Sequence, residues 1–150
     1  MQCGTACMVS VCRYYGVRYS ARFISGMGQI GHEGMSLLGL SKVAQRLGFR
    51  TMNVSIPLVK LHDLPLPCIL HWNQNHFVIL YHIDDCGRYY ICDPSKGLLR
   101  LTEDEFLSHW VGASDKGIAM LLEPTDKFGT IAEEHITTPS ALRFVLGYIK

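Results

Sequence analysis

The spacing of apolar residues changes once along the chain, from a helical period in the first third to strand alternation afterwards. In the first third the apolar residues recur at three- and four-residue intervals, which predicts helices. Ser36 stands where an N-cap is expected, and a glycine follows the first and the last of these segments, as at helix C-termini. The predicted helices cover residues 4–15, about 20–25 and 36–47.

From residue 49 onward, short runs rich in β-branched and aromatic residues predict strands. They are FRTMNVSI, PCILHW, HFVILYHI, RYYICD, GLLRL and GIAMLLEP. PLVKLHDL predicts a short helix or turn, and Thr102 with Glu105 forms a capping-box pattern that opens a helix ending near Trp110. Because the helices come first and hairpin-connected strands follow, the pattern indicates an α+β fold with helices packed on an antiparallel sheet.

The apolar pattern weakens beyond Pro124, where DKFGTIAEEHITTPS is polar and predicts a linker. ALRFVLGYIK then regains apolar spacing without an evident core to join. A chain of 150 residues, 48% hydrophobic, is long enough for one core and short for two. We therefore expect one domain over 1–124 and a linker with the start of a further segment over 125–150.

Charge and cysteine content narrow the class of protein. The net charge is +1 and Lys and Arg form no run, which argues against nucleic acid or an anionic membrane surface as partner. No secretory signal and no apolar stretch of membrane-spanning length occur, so the chain is expected to be soluble. The six cysteines are interpreted as reduced thiols in a cytosolic setting, because a chain of this size builds a core without disulfides.

Cys3 is the strongest candidate for chemistry, because a cysteine at a helix N-terminus gains thiolate character from the unpaired N–H groups. Gly4 beside it keeps space for a substrate backbone. A histidine base should come from the sheet: His76 opens an apolar strand and His71 ends the preceding one, so either could serve. Asp93, at the end of RYYICD, could orient the imidazole. The alternatives are a small apolar residue for Cys3, a structural histidine, and a turn residue for Asp93.

The other cysteines offer weaker chemistry. CGTAC places Cys7 one helical turn after Cys3, but C-x₃-C without a second pair is a poor zinc pattern and redox pairs are usually C-x-x-C. No metal or cofactor is therefore predicted. Cys12, Cys68 and Cys86 are expected to be packing or surface residues. Cys92 should point to the face of its strand opposite Asp93.

Three motifs in series resemble the double-glycine leader peptidase domain at the N-terminus of peptidase-containing ABC transporters, the bacterial exporters that mature bacteriocins and related peptides. They are QCGTAC with YYG, HWNQNHFVIL and YICDPSKG. The resemblance runs from Met1 to about Pro124. It implies a papain-like cysteine peptidase that cleaves a leader after Gly-Gly, with Cys3, His76 and Asp93 as the catalytic residues.

The resemblance also implies partners and a location. The partners are a leader peptide ending in Gly-Gly and the transmembrane and ATPase domains of the same transporter, on the cytoplasmic side of the membrane. The polar tail would lead towards the transmembrane domain, and the chain holds no G-x-x-x-x-G-K-[ST] motif for ATP. The alternatives are a catalytically silent leader-binding domain and another papain-like amide hydrolase or acyl transferase.

Two departures from the family pattern lie before Cys3, one of them a tolerated variation and the other at the oxyanion hole. The residue before the nucleophile is often Asp in the family and is Gln2 here. The family's oxyanion-hole Gln lies a few residues before the cysteine, ahead of the first residue of this chain. Gln2 is not expected to replace it, because a residue adjacent to the nucleophile points its side chain elsewhere.

Recognition of the leader should require a narrow slot that admits only glycine near the cut. The Gly-rich loop at 26–34 is a candidate for a wall of that slot, and a plain connecting loop is the alternative.

Overall fold

The fold, taken from a computed structural model that describes residues 3–28 and 35–133, is one antiparallel sheet covered on both faces by helices. The helices are α1 Cys3–Tyr14, α2 Ala21–Met27, α3 Leu37–Leu47, α4 Leu58–Leu61 and α5 Glu103–Trp110. The strands are β1 Phe49–Ile56, β2 Cys68–Trp72, β3 His76–Ile83, β4 Tyr89–Asp93, β5 Gly97–Leu101 and β6 Gly117–Pro124. The predicted α+β arrangement of helices on an antiparallel sheet is confirmed.

Local signals in the sequence account for the helix ends. The Ser36 hydroxyl accepts a hydrogen bond from Gly39 N, and α3 ends at Gly48 in a left-handed conformation that suits glycine. Thr102 and Glu105 make both bonds of the predicted capping box. Ser20 is the N-cap of α2, which continues to Met27, past the end that the apolar spacing predicts.

The order of strands in the sheet is β1-β6-β2-β3-β4-β5, and every neighbouring pair is antiparallel. The last strand, β6, is inserted between β1 and β2. The β2–β3 hairpin therefore lies near the middle of the sheet, with β4 and β5 following as a meander. The start of β3 and the end of β4 lie at the same edge, because the two strands run in opposite directions.

Two separate cores lie on the two faces of the sheet. The helix-side core contains the buried faces of α1, α2 and α3 and includes Phe77 and Ile79 of β3. The α5-side core packs α5 against the opposite face and includes Val78 and Leu80 of the same strand. Successive residues of β3 therefore belong to different cores, as strand alternation requires.

The first residues beyond β6 pack against the helix side of the molecule. Thr125 N donates to Gly48 O at 3.0 Å, the Tyr19 hydroxyl donates to Ile131 O at 2.6 Å, and Ser20 N donates to the Glu133 carboxylate at 2.6 Å. The ring of Phe128 lies 4.5 Å from that of Phe49. The polar pattern predicts a linker from 125, but 125–133 is held because Phe128 joins the helix-side core. The boundary at 124 stays a prediction, and ALRFVLGYIK lies outside the described residues.

Two further expectations concern thiols and membrane spans. All six cysteines are free thiols, as the sequence predicts. Within the ranges 3–28 and 35–133, none of the helices has the length and apolar character needed to cross a membrane.

Candidate active site

Cys3 is the first residue of α1, and the rest of that helix is fixed against β3 by its buried face. A Cβ placed on Gly4 would lie 3.6 Å from side-chain atoms of Met35, Leu40 and Phe77, which is ordinary van der Waals contact, so these residues face the first turn of α1. Cys3 itself is only partly buried. As the first residue of α1, Cys3 lies at the end of the helix that carries the unpaired N–H groups, and a helix N-terminus generally favours negative charge nearby.

His76 and Asp93 meet at one edge of the sheet, because His76 begins β3 and Asp93 ends the antiparallel neighbour β4. The distance from His76 Nε2 to Asp93 Oδ1 is 2.7 Å. A carboxylate oxygen accepts, so the Nε2–H donates and the neutral imidazole keeps its lone pair on Nδ1. The Asp93 carboxylate is 2% exposed, whereas the His76 side chain is 22% exposed. The buried partner thus orients a ring that solvent reaches.

Cys3 and His76 line the same cavity, which has a volume of about 280 Å³ and also touches Ala6, Pro94 and Ser95. The structure therefore brings together the three residues singled out in the sequence: Cys3 and His76 lie at the cavity wall, and Asp93 lies behind His76. A thiol, an imidazole with a free Nδ1 and a buried carboxylate are the groups that nucleophilic cysteine chemistry needs.

Asp93 Oδ1 accepts three hydrogen bonds. Besides His76, the donors are Ser95 N at 2.9 Å and Ser95 Oγ at 2.8 Å. Burial of the carboxyl acts to raise its pKa, but the hydrogen bonds from His76 and Ser95 outweigh burial and hold the pKa of Asp93 below its usual value. The sequence reasoning missed Ser95, and the available signal was its place in Asp-Pro-Ser, where a short polar side chain two residues on can bond back to the aspartate.

His71, the other candidate base, lies elsewhere. It pairs with Phe77 across the β2–β3 hairpin and its ring centre is 5.5 Å from the Phe77 ring. It lines a separate depression of about 530 Å³ with Asn73, Trp110 and Lys116. The structure thus places His76, and not His71, beside Cys3 and Asp93.

The turn that leads into His76 is tied to the end of α5, a feature without a signal in the sequence. Asn73 N donates to His109 O at 2.9 Å, and His109 Nδ1 donates to Asn73 Oδ1 at 2.9 Å. The imidazole of His109 also stacks on Trp72, with ring centres 5.1 Å apart. We call this pair of residues, Asn73 and His109, the hairpin clamp. It fixes the backbone three residues before His76 from the α5 side of the sheet.

The remaining cysteines are unsuited to nucleophilic chemistry or lie away from the cavity. Cys7 is fully buried, its thiol donates to Phe77 O at 3.4 Å, and burial followed by nearby charge raises its pKa well above the usual value. Burial raises the pKa of Cys12 and of Cys68 to about 12. Cys86 is exposed. Cys92 packs against the helix-side core, on the face opposite Asp93, as alternation predicts.

An apolar groove runs along the open side of α1. It has a volume of about 270 Å³, and its lining residues come from α1, the β2 approach and strands β3 to β5: Ser10, Val11, Tyr14, Pro67, Ile79, Tyr81, Cys92 and Leu98. We call it the α1–β5 groove. Tyr14 is 64% exposed and Leu98 is 72% exposed, so large apolar side chains at its two rims lie in water.

Gln2 and most of the Gly-rich loop, 29–34, lie outside the described residues.

Comparison with known proteins identifies relatives of the chain. The Peptidase C39 family matches residues 1–127. The chain is 28% identical over 148 residues to the colicin V secretion/processing ATP-binding protein CvaB of Escherichia coli, covering 99% of this chain and 20% of that protein. It is 31% identical over 127 residues to the probable microcin-H47 secretion/processing ATP-binding protein MchF of Escherichia coli, covering 85% of this chain and 17% of that protein. The chain thus spans about a fifth of the length of these relatives.

A solved structure supports the same relationship. The fold matches the crystal structure of a double glycine motif protease from an AMS/PCAT transporter in complex with the leader peptide, with a TM-score of 0.75 and 29% sequence identity. The match covers 83% of this chain and 85% of that chain. The predicted papain-like fold and the resemblance inferred from the three motifs are confirmed.

Proposed function

We propose that this chain, which belongs to the Peptidase C39 family, is a cysteine endopeptidase with Cys3 as nucleophile, His76 as general base and Asp93 as the group that orients the imidazole. One observation carries the assignment: Cys3 and His76 line one cavity, and His76 Nε2 lies 2.7 Å from the buried Asp93 carboxylate. This hydrogen bond leaves Nδ1 as the nitrogen available to the Cys3 thiol.

The reaction proceeds in two steps. His76 Nδ1 takes the proton of the Cys3 thiol, and the sulfur attacks the carbonyl carbon of the scissile peptide bond. The C–N bond breaks as the imidazolium returns that proton to the leaving amine, which leaves a thioester on Cys3. Water, deprotonated by His76, then attacks the thioester and releases the new carboxylate and the free thiol. Asp93 holds the imidazole in the tautomer that both steps need and stabilises the imidazolium.

The proposed substrate is a peptide whose leader ends in Gly-Gly, cut after the second glycine. Beside the reacting residues, the cavity at Cys3 is lined by the short side chains of Ala6 and Ser95 and by Pro94, and we expect glycines at the cut to fit there. The α1–β5 groove lies along the same helix and is apolar, so it suits the apolar face of a helical leader. A solved relative of this fold is named a double glycine motif protease and was crystallised with a leader peptide.

The proposed setting is peptide export. The matched relatives are named secretion/processing ATP-binding proteins for colicin V and microcin H47, and this chain spans about a fifth of their length. We infer that the chain processes a bacteriocin-like peptide as the peptidase domain of an ABC transporter, whose transmembrane and ATPase domains are its partners. The domain would work on the cytoplasmic side of the cell membrane.

The experiment compares cleavage of a synthetic leader peptide ending in Gly-Gly by the wild-type chain, Cys3→Ala and Cys86→Ala, with mass spectrometry of the products. Cys86 is an exposed thiol in a distant turn, so its removal is the matched control. We expect Cys3→Ala to abolish cleavage and Cys86→Ala to leave it unchanged. Undiminished cleavage by Cys3→Ala would refute the assignment of the nucleophile.

Two other outcomes separate the alternatives. Binding of the leader without cleavage by the wild-type chain would identify a silent leader-binding domain. Cleavage that persists when both glycines are replaced by alanine would instead indicate another papain-like amide hydrolase.

A further inference from the structure

Ser95 lies at the wall of the cavity and directs both of its polar hydrogens to the residue behind His76. Its backbone N–H and its hydroxyl both donate to Asp93 Oδ1, at 2.9 and 2.8 Å. His76 Nε2 donates to the same oxygen at 2.7 Å. All the hydrogen bonds that the described residues make to this carboxylate therefore end on Oδ1. The atom that orients the imidazole is also the atom that Ser95 holds.

We propose that Ser95 is a positioning residue for the peptidase reaction, whose hydroxyl keeps the Asp93 carboxylate ionised and turned towards His76. This inference rests on the proposed roles of Cys3, His76 and Asp93. Ser95 acts through Asp93, so its contribution is separate from that of the three groups assigned above.

The chemistry of Oδ1 gives the physical reason. Asp93 is 2% exposed, so water does not solvate its charge, and burial alone favours the neutral acid. A protonated carboxyl accepts the Nε2–H of histidine more weakly, and the imidazole then loses its fixed orientation. The backbone bond from Ser95 belongs to the Asp-Pro-Ser turn and persists whatever residue stands at 95. The hydroxyl bond is the part that the choice of side chain adds.

The titratable and charged groups around Asp93 come from several elements. They are Cys3 and Cys7 on α1, His76 on β3, Cys92 on β4, and Lys96 in the turn that follows Asp93. Cys7 and Cys92 are held as thiols by their raised pKa values and add no charge near neutral pH. Besides His76, Ser95 is thus the neighbour whose hydrogen bonds lower the pKa of Asp93.

A structural role for Ser95 predicts a different result from a positioning role. If Ser95 only completes the turn, removing the hydroxyl lowers stability and reduces activity equally at every pH. If it keeps Asp93 ionised, the acid limb of the pH profile moves to higher pH, because Asp93 then gains a proton at a less acidic pH. The conservative replacement by threonine keeps the hydroxyl and should restore the original profile.

The experiment uses Ser95→Ala, Ser95→Thr and the control Ser108→Ala. Ser108 also donates one short hydrogen bond, 2.7 Å to Glu105 O, but lies exposed on α5. Two rates are measured across the acidic to neutral range: leader cleavage, and alkylation of Cys3 by iodoacetamide followed on the Cys3 peptide by mass spectrometry. Alkylation of Cys3 needs no peptide substrate, so it still tests the role of Ser95 if the wild-type chain does not cleave the leader. Ser95→Gly also removes the hydroxyl and replaces Ser95→Ala if that variant does not fold.

We expect Ser95→Ala to lower kcat about tenfold at acidic pH, with KM unchanged, and to move the acid limb of both profiles to higher pH. Ser95→Thr should restore kcat and the position of the acid limb, and Ser108→Ala should match the wild type in each. The proposal is overturned if Ser95→Ala leaves both limbs in place, or if its loss of rate is the same at every pH. An unchanged alkylation profile overturns it even where leader cleavage is absent from the wild-type chain.

Discussion

Cys3 and His76 meet in one cavity, but they are supported from opposite faces of the sheet. Cys3 depends on the helix-side core, which buries one face of α1 and where a Cβ placed on Gly4 would lie 3.6 Å from the Phe77 side chain. His76 follows a turn that is tied to α5 by the hairpin clamp, next to the α5-side core. The distance between sulfur and imidazole therefore depends on packing on both faces of the sheet, whose strands contribute residues to both cores. A variant in one core can move one partner without moving the other.

The largest expected effect comes from removing the imidazole itself. His76→Ala should lower kcat/KM for leader cleavage by at least about 10³-fold, because His76 is the only base among the described residues that line the cavity at Cys3. His71→Ala, on the same hairpin, should stay within about threefold of the wild type because His71 lines a different depression. The measurement is cleavage kinetics with both variants checked for folding by circular dichroism. Equal losses in the two variants would refute the choice of His76.

The second test removes one buried side chain from each face of β3. Phe77→Ala should reduce the free energy of unfolding by about 3–5 kcal/mol and Val78→Ala by about 2 kcal/mol, because both leave cavities in their cores. Only Phe77→Ala removes the support of the first turn of α1. We therefore expect kcat, referred to folded protein, to fall about tenfold or more in Phe77→Ala and to stay within about twofold in Val78→Ala.

Urea unfolding measures the free energy of unfolding of these variants, and kinetics at low temperature, where they stay folded, measure kcat separately. A fall in kcat that follows stability alone, the same for both residues, would contradict separate support of the two partners.

The smallest expected effect concerns the hairpin clamp. Asn73→Ala should reduce the free energy of unfolding by about 1 kcal/mol because it removes one hydrogen bond, and His109→Ala should reduce it by more because it also removes the stacking on Trp72. The double variant should lose less than the sum, because either single change already breaks the bond. kcat should fall a few-fold in all three, through the turn before His76. Ser108→Ala, in the same turn of α5, is the control for changes in the helix. If the loss of free energy in the double variant equals the sum of the two single losses, the two side chains act independently and the clamp is refuted.

Sequence reasoning predicted most of the elements, because their signals are local. The capping box at Thr102, the N-cap at Ser36 and the glycine after α3 each specify a helix end within a few residues. The position of β6 between β1 and β2 has no such signal, because it depends on pairing between segments far apart in the chain. Local signals left both His71 and His76 open for a similar reason, because each lies at or next to the end of a strand of the same hairpin. The resemblance to the family pointed to His76.

In the candidate site, too, residues with a local signal could be predicted, whereas contacts between distant segments could not. Cys3 and Asp93 could be singled out by residue type and by their place at the end of an element. The Asp-Pro-Ser signal for Ser95 is less specific, because it predicts a turn whether or not the Ser95 hydroxyl faces an active site. The hairpin clamp joins residues 36 apart in sequence and is visible only once α5 has packed against the sheet.

The segment after β6 has a consequence for the solubility of shortened forms of the protein. Phe128 covers the rings of Tyr15 and Phe49, with ring centres 6.2 and 4.5 Å away. A fragment that stops at Pro124 would leave these two aromatic surfaces in water, and exposed patches of that kind promote self-association. Glu133, whose carboxylate accepts from Ser20 N, is the last described residue that the helices hold. An expression boundary beyond Glu133 therefore favours a monodisperse preparation, whereas one at Pro124 favours aggregates.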